Sequence, residues 1–91
     1  MSSKWRWYVY ILELLNGRYY TGMTWNPITR FEQHLSKLGS KYTARYGIKR
    51  LVYLEEHEDI NEARHREIQI KDFSQKKKRE LIRNFLATLE K

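Results

Sequence analysis

The chain has 91 residues, with 18 Lys plus Arg against 11 Asp plus Glu and a formal net charge of +7. At this length we expect a single domain over residues 1–91 and no second module. Cysteine is absent, which excludes a disulfide framework or a thiolate metal site and fits a reducing compartment. The basic excess favours polyanionic partners over a merely solubilising surface.

Targeting and membrane signals are not evident in the sequence. The first five residues lack the long apolar stretch of a signal peptide. No segment approaches the ~20 apolar residues that span a bilayer. We therefore expect a soluble, cytoplasmic protein without a membrane partner.

Two aromatic segments flank a predicted tight turn. Residues 5–15 alternate, but both sets of alternating side chains are apolar, which predicts a strand covered on both sides. Residues 18–23 read as a second strand, rich in aromatic and β-branched side chains. Asn16 and Gly17 between them are the strongest short-range signal for a β-hairpin.

The length of this hairpin loop decides whether Tyr10 and Tyr20 share one face of the sheet. A two-residue loop leaves the two phenols on opposite faces. A three-residue loop, with Gly17 in the left-handed region, pairs Leu14 with Arg18 and brings both phenols to the same face. We predict the three-residue loop, because joint chemistry by the two tyrosines requires a common face.

A first helix follows the hairpin. Asn26 is suited to its N-cap and Pro27 to its first turn, and Gly39 is a plausible stop. A polar, basic link over residues 40–47 then leads to a third strand around residues 51–54. The apolar stripe predicted for the helix consists of Ile28, Phe31, Leu35 and Leu38.

Two more helices complete the predicted fold. Asp59 with Glu62 forms a capping-box-like start for one, and Ser74 can cap another that runs to about Leu89. The element order β-β-α-β-α-α predicts a small α/β (α+β) domain, with a three-stranded sheet and flanking helices. The residues of the last helix predicted to face inward are Leu81, Ile82, Phe85, Leu86 and Leu89.

The order and spacing of several residues resemble the GIY-YIG nuclease superfamily, in particular its small stand-alone members. The resemblance covers about residues 8–74 and implies the fold described above and nuclease activity. Two positions depart from the pattern, since Tyr8 replaces a glycine and Thr21 an isoleucine. The residues that match are Tyr10 in the first half-motif, Tyr20 and Gly22 in the second, Arg30 and His34 on the first helix, and the metal-binding Glu67.

The resemblance and the chemistry of phosphodiester hydrolysis suggest a role for each group. Glu67 would hold Mg²⁺ or Mn²⁺, and Arg30 offers a planar, permanently charged fork to phosphate oxygens. We favour Tyr10 as the general base and Tyr20 as its hydrogen-bonding neighbour, although the sequence does not decide between them. A phenol base requires a depressed pKa, and His34 could relay the proton.

Each of these residues also has a purely structural interpretation. Paired tyrosines on strands are often amphipathic core residues, and Arg30 with His34 could form a solvated helix face. Glu67 shares a helical stripe with Ala63 and Ile70, which predicts an inward carboxylate. Its structural alternative is a salt bridge to Arg30.

Four basic residues are candidates for contacts with a nucleic-acid backbone. Lys41 and Arg45 lie in the link that the family topology places near the proposed site. Lys76 and Lys77 lie at the start of the last helix, where they would contact phosphates without reading bases.

Three functions remain open at this stage. The first is a metal-dependent endonuclease acting on DNA, with selectivity from substrate shape, such as branched or damaged DNA in repair, or from a separate protein partner. The second is a non-catalytic nucleic-acid-binding or adaptor module that retains the nuclease fold. The third is a basic protein-interaction domain. The sequence does not distinguish DNA from RNA.

Overall fold

The computed structural model describes residues 6–36 and 40–90. The elements are β1 (Trp7–Leu14), β2 (Tyr19–Thr24), α1 (Pro27–Leu35), α2 (Lys41–Tyr46), β3 (Ile48–His57), α3 (Ile60–Lys71) and α4 (Gln75–Leu89). The three strands within these residues form one antiparallel sheet in the order β2-β1-β3. The predicted α+β fold is therefore confirmed, with one addition, because the polar link contains the short helix α2. In this described part of the chain, no helix has the length and apolar character needed to cross a membrane.

The hairpin between β1 and β2 has the predicted three-residue loop. Gly17 adopts the left-handed conformation with a φ of +85°. Its N–H donates to the Leu14 carbonyl at 3.0 Å, and the Leu14 N–H donates to the Arg18 carbonyl at 2.8 Å. This register places Tyr10 opposite Gly22, as predicted.

The central strand β1 is buried on both sides, as its two apolar sets of side chains predict. We call the two sides of the sheet the α1/α2 face and the α3/α4 face, after the helices that cover them. The core of the α1/α2 face contains Tyr10, Leu12 and Leu14, with Tyr20, Phe31, Tyr42, Tyr46, Ile48 and Leu54 packed against them. The core of the α3/α4 face contains Val9, Ile11, Val52, Tyr53, Ala63, Ile70 and Ile82.

Two of the three predicted helix caps are present. The Asn26 side chain accepts from the Thr29 N–H at 3.2 Å. The Ser74 side chain accepts from the Lys77 N–H at 3.2 Å. Asp59 occupies the N-cap of α3 but makes no side-chain capping hydrogen bond, so the predicted capping box is wrong. Asp59 is exposed, and an exposed carboxylate can bond to water instead.

Helix α1 buries only part of the apolar stripe that its sequence predicts, because Phe31 packs against the core while Ile28 and Leu35 stay exposed. Ile28 and Leu35 are 73% and 55% exposed, and the buried residue of the helix is His34. The helix ends at Leu35, and the predicted Leu38 and Gly39 lie outside the described residues. Hydrophobic periodicity cannot anticipate this orientation, because the inward position carries a polar side chain with its own hydrogen-bond partners.

The last helix, α4, follows its prediction more closely. Ile82 is buried, and Leu81, Phe85 and Leu86 pack against the core of the α3/α4 face. Leu89, the final residue of the helix, is 64% exposed and does not extend the buried stripe.

Candidate active site

Three aromatic rings from three elements meet on the α1/α2 face. The ring centroids of Tyr10 and Tyr20 are 6.5 Å apart. The His34 ring lies 5.8 Å from Tyr10 and 5.3 Å from Tyr20, edge-on to both. Tyr10 and His34 are only 3% and 1% exposed. The hairpin register and the packing of α1 on the sheet therefore bring together residues that are far apart in sequence.

Tyr10 reaches this position because its ring crosses over Gly22. A Cβ atom at Gly22 would collide with the Tyr10 Oη atom and lie 2.6 Å from its Cζ atom. Gly22 is the residue opposite Tyr10 in the hairpin. The lack of a side chain on β2 at this point is therefore what gives the phenol its room.

A chain of hydrogen bonds runs through the phenol of Tyr10. The Oη atom lies 3.0 Å from His34 Nε2. On the other side of the imidazole ring, Nδ1 lies 2.8 Å from Thr43 Oγ1. Arg30 Nε donates to the same Tyr10 oxygen at 3.4 Å. One phenol oxygen thus contacts both a guanidinium and an imidazole.

His34 is neutral at physiological pH. Burial lowers its pKa to about 4, with a further lowering from the charge of Arg30. A neutral imidazole has one N–H donor and one nitrogen that accepts. His34 is therefore able to accept a proton from Tyr10.

The predicted depression of the Tyr10 pKa is wrong for the protein alone. Burial raises the pKa of Tyr10, and this outweighs the hydrogen bond and positive charge of Arg30, which lower it. The nearby Tyr20 and Glu67 raise the pKa further. Burial wins because it removes the water that would solvate a phenolate. Tyr10 is thus protonated at neutral pH, and it must release its own proton in order to accept another.

Arg30 is held beside both tyrosines. The hydrogen bond to Tyr10 raises the pKa of Arg30, burial lowers it, and the charge interactions with Tyr10 and Tyr20 raise it. Its Nη1 atom donates to Gln33 Oε1 at 3.2 Å, one helical turn along α1. The fork is therefore oriented by two contacts and remains charged.

Glu67 lies on α3, which packs against β1 and β2. Its side chain is only 17% exposed, which confirms the predicted inward direction. Within residues 6–36 and 40–90 its ion pair is with Lys71, whose Nζ atom lies 3.2 Å from Oε2, and not with Arg30. The negative charge of Glu67 acts on Tyr10, so the two groups lie within electrostatic reach of each other.

A divalent cation bound by Glu67 would have to keep most of its water ligands. In the part of the chain that the structure describes, no group of three or more His, Asp or Glu residues could hold a metal ion. A closed zinc or calcium site is therefore not formed by these residues. Mg²⁺ and similar hard ions keep most of their waters and need only one or two carboxylates when phosphate supplies other ligands. Binding would require Lys71 to move away from Glu67.

The two basic residues predicted in the link lie on α2, next to the site. Lys41 and Arg45 are exposed, and the Arg45 guanidinium lies 5.3 Å from the centre of the Tyr46 ring. On the inner side of the helix, Tyr42 stacks on Tyr20 with ring centroids 6.3 Å apart. Helix α2 therefore connects an exposed basic surface to the tyrosines of the site.

The other two predicted basic contacts are on α4, which packs on the opposite face of the sheet. Lys76 and Lys77 are both exposed. The Lys77 ammonium lies 4.4 Å from the centre of the Phe73 ring, a cation–π contact. These two lysines are not among the groups that surround Tyr10.

Sequence reasoning did not identify Thr43, which is fully buried beside His34. Ser40 gave a usable signal, because a serine three residues before a threonine can cap a short helix. In the structure, Ser40 Oγ accepts from the Thr43 N–H at 3.1 Å and caps α2.

Comparison with known proteins extends over almost all of these elements. A family model described as the GIY-YIG catalytic domain matches residues 6–80. A UPF0213 protein of Desulfotalea psychrophila is 40% identical over 78 residues, which cover 85% of this chain and 71% of that protein. A UPF0213 protein of Cupriavidus necator is 36% identical over 88 residues, covering 97% and 96%. The solution NMR structure of a UPF0213 protein from Bacillus halodurans is similar, with 39% identity, a TM-score of 0.56 and coverage of 85% and 82%.

Proposed function

Because the chain belongs to the GIY-YIG family, we propose that it is a metal-dependent endonuclease that hydrolyses phosphodiester bonds in DNA. The family is one of nucleases, and the residues that would do the chemistry are all present. The observation that carries the proposal is the Tyr10 oxygen, held 3.0 Å from His34 Nε2 and 3.4 Å from Arg30 Nε. The base Tyr10 is thus adjacent to its proton acceptor, His34, and to the phosphate-binding guanidinium of Arg30.

Tyr10 acts as the general base in a paired proton transfer. As the attacking water gives a proton to the phenol oxygen, the phenol gives its own proton to His34 Nε2. The water O–H bond and the original phenol O–H bond break, while a new phenol O–H bond and an imidazole N–H bond form. Tyr10 never has to exist as a free phenolate, which its raised pKa disfavours. The same role is closed to a phenylalanine, which has no exchangeable proton.

Arg30 binds the scissile phosphate. Its guanidinium presents parallel N–H donors that match phosphate oxygens in pairs, and a lysine ammonium lacks this geometry. Charge that develops on the phosphate in the transition state strengthens these contacts. Arg30 also contacts Tyr10, so the base and the phosphate are positioned by one side chain.

Glu67 holds the divalent cation, Mg²⁺ or Mn²⁺. When bound, such a cation neutralises charge on the phosphate and stabilises the leaving oxygen. Tyr20 packs beside Tyr10 and His34 and fixes their rings. Lys41 and Arg45 on α2 grip the backbone of the substrate, while Lys76 and Lys77 add weaker contacts on the far face.

Substrate choice follows from what the domain contains. Its net charge of +7 favours any nucleic acid through contacts with phosphates. Selectivity for branched or damaged DNA then comes from the shape of the substrate or from a separate protein partner.

A cleavage assay tests this function. Plasmid, nicked and branched DNA are incubated with Mg²⁺ or Mn²⁺ and the wild-type protein, Arg30→Ala or Glu67→Ala. We expect each substitution to reduce the rate at least about 100-fold, as for loss of a group that stabilises a transition state. Arg64→Ala and Glu62→Ala are matched controls, because both residues are exposed on α3, and they should cut like the wild type.

The other outcomes separate the alternatives. Salt-dependent DNA binding without cutting by any form would favour the non-catalytic module. The absence of salt-dependent DNA binding would favour the protein-interaction domain, since contacts with phosphates release counterions and weaken as salt rises. Cutting that survives both Arg30→Ala and Glu67→Ala would contradict the proposed site.

A further inference from the structure

A second layer of polar groups lies behind His34. Thr43 Oγ1 is 2.8 Å from His34 Nδ1, and the two residues are 0% and 1% exposed. The proposed reaction uses only the opposite nitrogen of the ring, Nε2. The buried Thr43 hydroxyl and His34 Nδ1 must take complementary donor and acceptor roles, because an unpaired polar group is costly in the interior.

The surroundings of Thr43 indicate which imidazole nitrogen carries the proton. The Thr43 hydroxyl has two acceptors other than His34, the Ser40 carbonyl oxygen at 3.3 Å and Ser40 Oγ at 2.9 Å. The Thr43 oxygen is then available to accept from His34 Nδ1–H. Nε2 is left without a hydrogen and accepts the phenol proton of Tyr10.

The opposite tautomer leaves a buried donor without a partner. With the hydrogen on Nε2, both His34 and Arg30 would donate to the Tyr10 oxygen. The phenol hydrogen would then find no acceptor in the contacts of Tyr10 with residues 6–36 and 40–90. An unsatisfied donor on a side chain that is 3% exposed disfavours this arrangement.

We propose that Thr43 is a positioning residue that keeps His34 protonated on Nδ1, so that Nε2 can take the proton of Tyr10. The inference rests on the proposed nuclease function. When the proton moves from the phenol to Nε2, the imidazole becomes a cation, and the Thr43 oxygen stabilises it through the Nδ1–H bond. Tyr10, His34 and Thr43 thus repeat the arrangement of base, proton acceptor and orienting group found in other enzymes.

The structure holds the hydroxyl in place through the start of α2. Ser40 Oγ accepts from the Thr43 N–H at 3.1 Å and lies 2.9 Å from Thr43 Oγ1. The Thr43 hydroxyl is therefore held by the Ser40 side chain that caps the helix and by the Ser40 carbonyl oxygen. A serine at position 43 keeps the hydroxyl on the same backbone, whereas a valine keeps the shape and removes the oxygen.

Two measurements on the same variants test the proposal. The first is the tautomer of His34 in the full chain, read from the ¹⁵N chemical shifts of its ring by NMR at neutral pH. The second is the steady-state rate of DNA cleavage, separated into kcat and KM. The variants are Thr43→Val and Thr43→Ser, with Thr21→Val as the matched control, because Thr21 is a buried threonine on β2 outside the site.

We expect wild-type His34 to carry its proton on Nδ1. In Thr43→Val the share of His34 protonated on Nδ1 should fall, because Nδ1–H loses its acceptor, and kcat should fall roughly 10- to 100-fold with KM little changed, near the lower end of what proton transfer contributes. Thr43→Ser should restore both the tautomer and most of kcat. Thr21→Val should change neither.

Three results would overturn the proposal. They are a wild-type His34 protonated on Nε2, a Thr43→Val protein with wild-type tautomer and kcat, and a Thr43→Ser protein that behaves like Thr43→Val. If Thr43→Val does not fold, the tautomer of the wild type and the tautomer and kcat of Thr43→Ser still test the proposal. If the wild type binds DNA without cutting it, the proposed function fails, while the NMR result still shows whether Thr43 sets the tautomer.

Discussion

The two faces of the sheet bury different kinds of side chain. The α3/α4 face is closed by apolar side chains such as Val9, Ile11 and Ile70. The α1/α2 face buries a phenol, an imidazole and a hydroxyl, and pairs each of them. On β2, Thr21 is buried with no hydrogen-bond partner for its Oγ1 atom in the described part of the chain. The comparison indicates that the α3/α4 face mainly provides stability, with Glu67 on α3 as its exception, and that the α1/α2 face mainly positions reactive groups.

The largest effect on stability should come from the α3/α4 face. Ile70 is 0% exposed, so Ile70→Ala should lower the free energy of unfolding by about 2–5 kcal/mol through lost burial and a cavity. Chemical denaturation measures this change. DNA cleavage per folded molecule should stay at the wild-type level. A loss of cleavage at temperatures where the variant is folded would contradict the assignment of a mainly stabilising role to the α3/α4 face.

A comparable loss of stability should arise from the α1/α2 face only when the pH is lowered. The pKa of His34 is about 4 in the folded protein and about 6.5 in an unfolded chain. The unfolded state therefore binds the proton first, and stability should fall between pH 6.5 and 4 by up to about 3 kcal/mol. The charged or ionisable groups that face His34 are Arg30, Tyr10 and Tyr20.

Denaturation curves across that pH range check the effect. His34→Gln should give a flatter dependence on pH than the wild type, whatever its stability at neutral pH. An equal slope in the two proteins would assign the loss to other groups.

A substitution at the crossing of Tyr10 and Gly22 should affect both stability and cleavage. Gly22→Ala places a Cβ atom 2.6 Å from Tyr10 Cζ, so the phenol must shift and the fold should lose about 1–3 kcal/mol. The Tyr10 contact with His34 should be lost, and cleavage with it. Gly17→Ala is the matched control, because its strain comes only from a φ of +85° and nothing lies within 4 Å of the added atom. It should lose about 1 kcal/mol and keep cleavage. Normal cleavage by Gly22→Ala would contradict the assigned position of the phenol.

The smallest expected effect is an increase in stability. Thr21→Val removes a buried hydroxyl that lacks a partner among the described residues, so stability should rise by up to about 1 kcal/mol. Thermal unfolding provides the measurement. A clear loss of stability would indicate that the hydroxyl is satisfied by bound water.

The hairpin was predictable because local chemistry determines it. Gly17 is the residue that accepts a left-handed turn, and the requirement that Tyr10 and Tyr20 share a face selected the loop length. The double burial of β1 followed from its two apolar sets of side chains. Helices α1, α3 and α4 were predictable for the same reason, although the capping box at Asp59 was not formed.

The orientation of α1 and the role of α2 depended on tertiary contacts. Periodicity predicted that Ile28 and Leu35 would be buried, whereas the helix buries His34. Helix α2 spans only six residues, including tyrosines and a β-branched threonine that favour helices weakly. Thr43 could not be identified without the contact to His34. The raised pKa of Tyr10 likewise depends on burial, which a motif does not report.

The proposed reaction depends above all on the Tyr10 oxygen, which would accept the proton of the attacking water. Tyr53 offers a matched comparison on the α3/α4 face, since it is 6% exposed and its hydroxyl donates to Glu55. Tyr10→Phe and Tyr53→Phe each remove one buried hydroxyl and keep the ring. Single-turnover cleavage of DNA with Mg²⁺ by both variants is the most direct test. We predict a loss of at least about 100-fold for Tyr10→Phe and wild-type cleavage for Tyr53→Phe. Wild-type cleavage by a folded Tyr10→Phe protein would contradict this role.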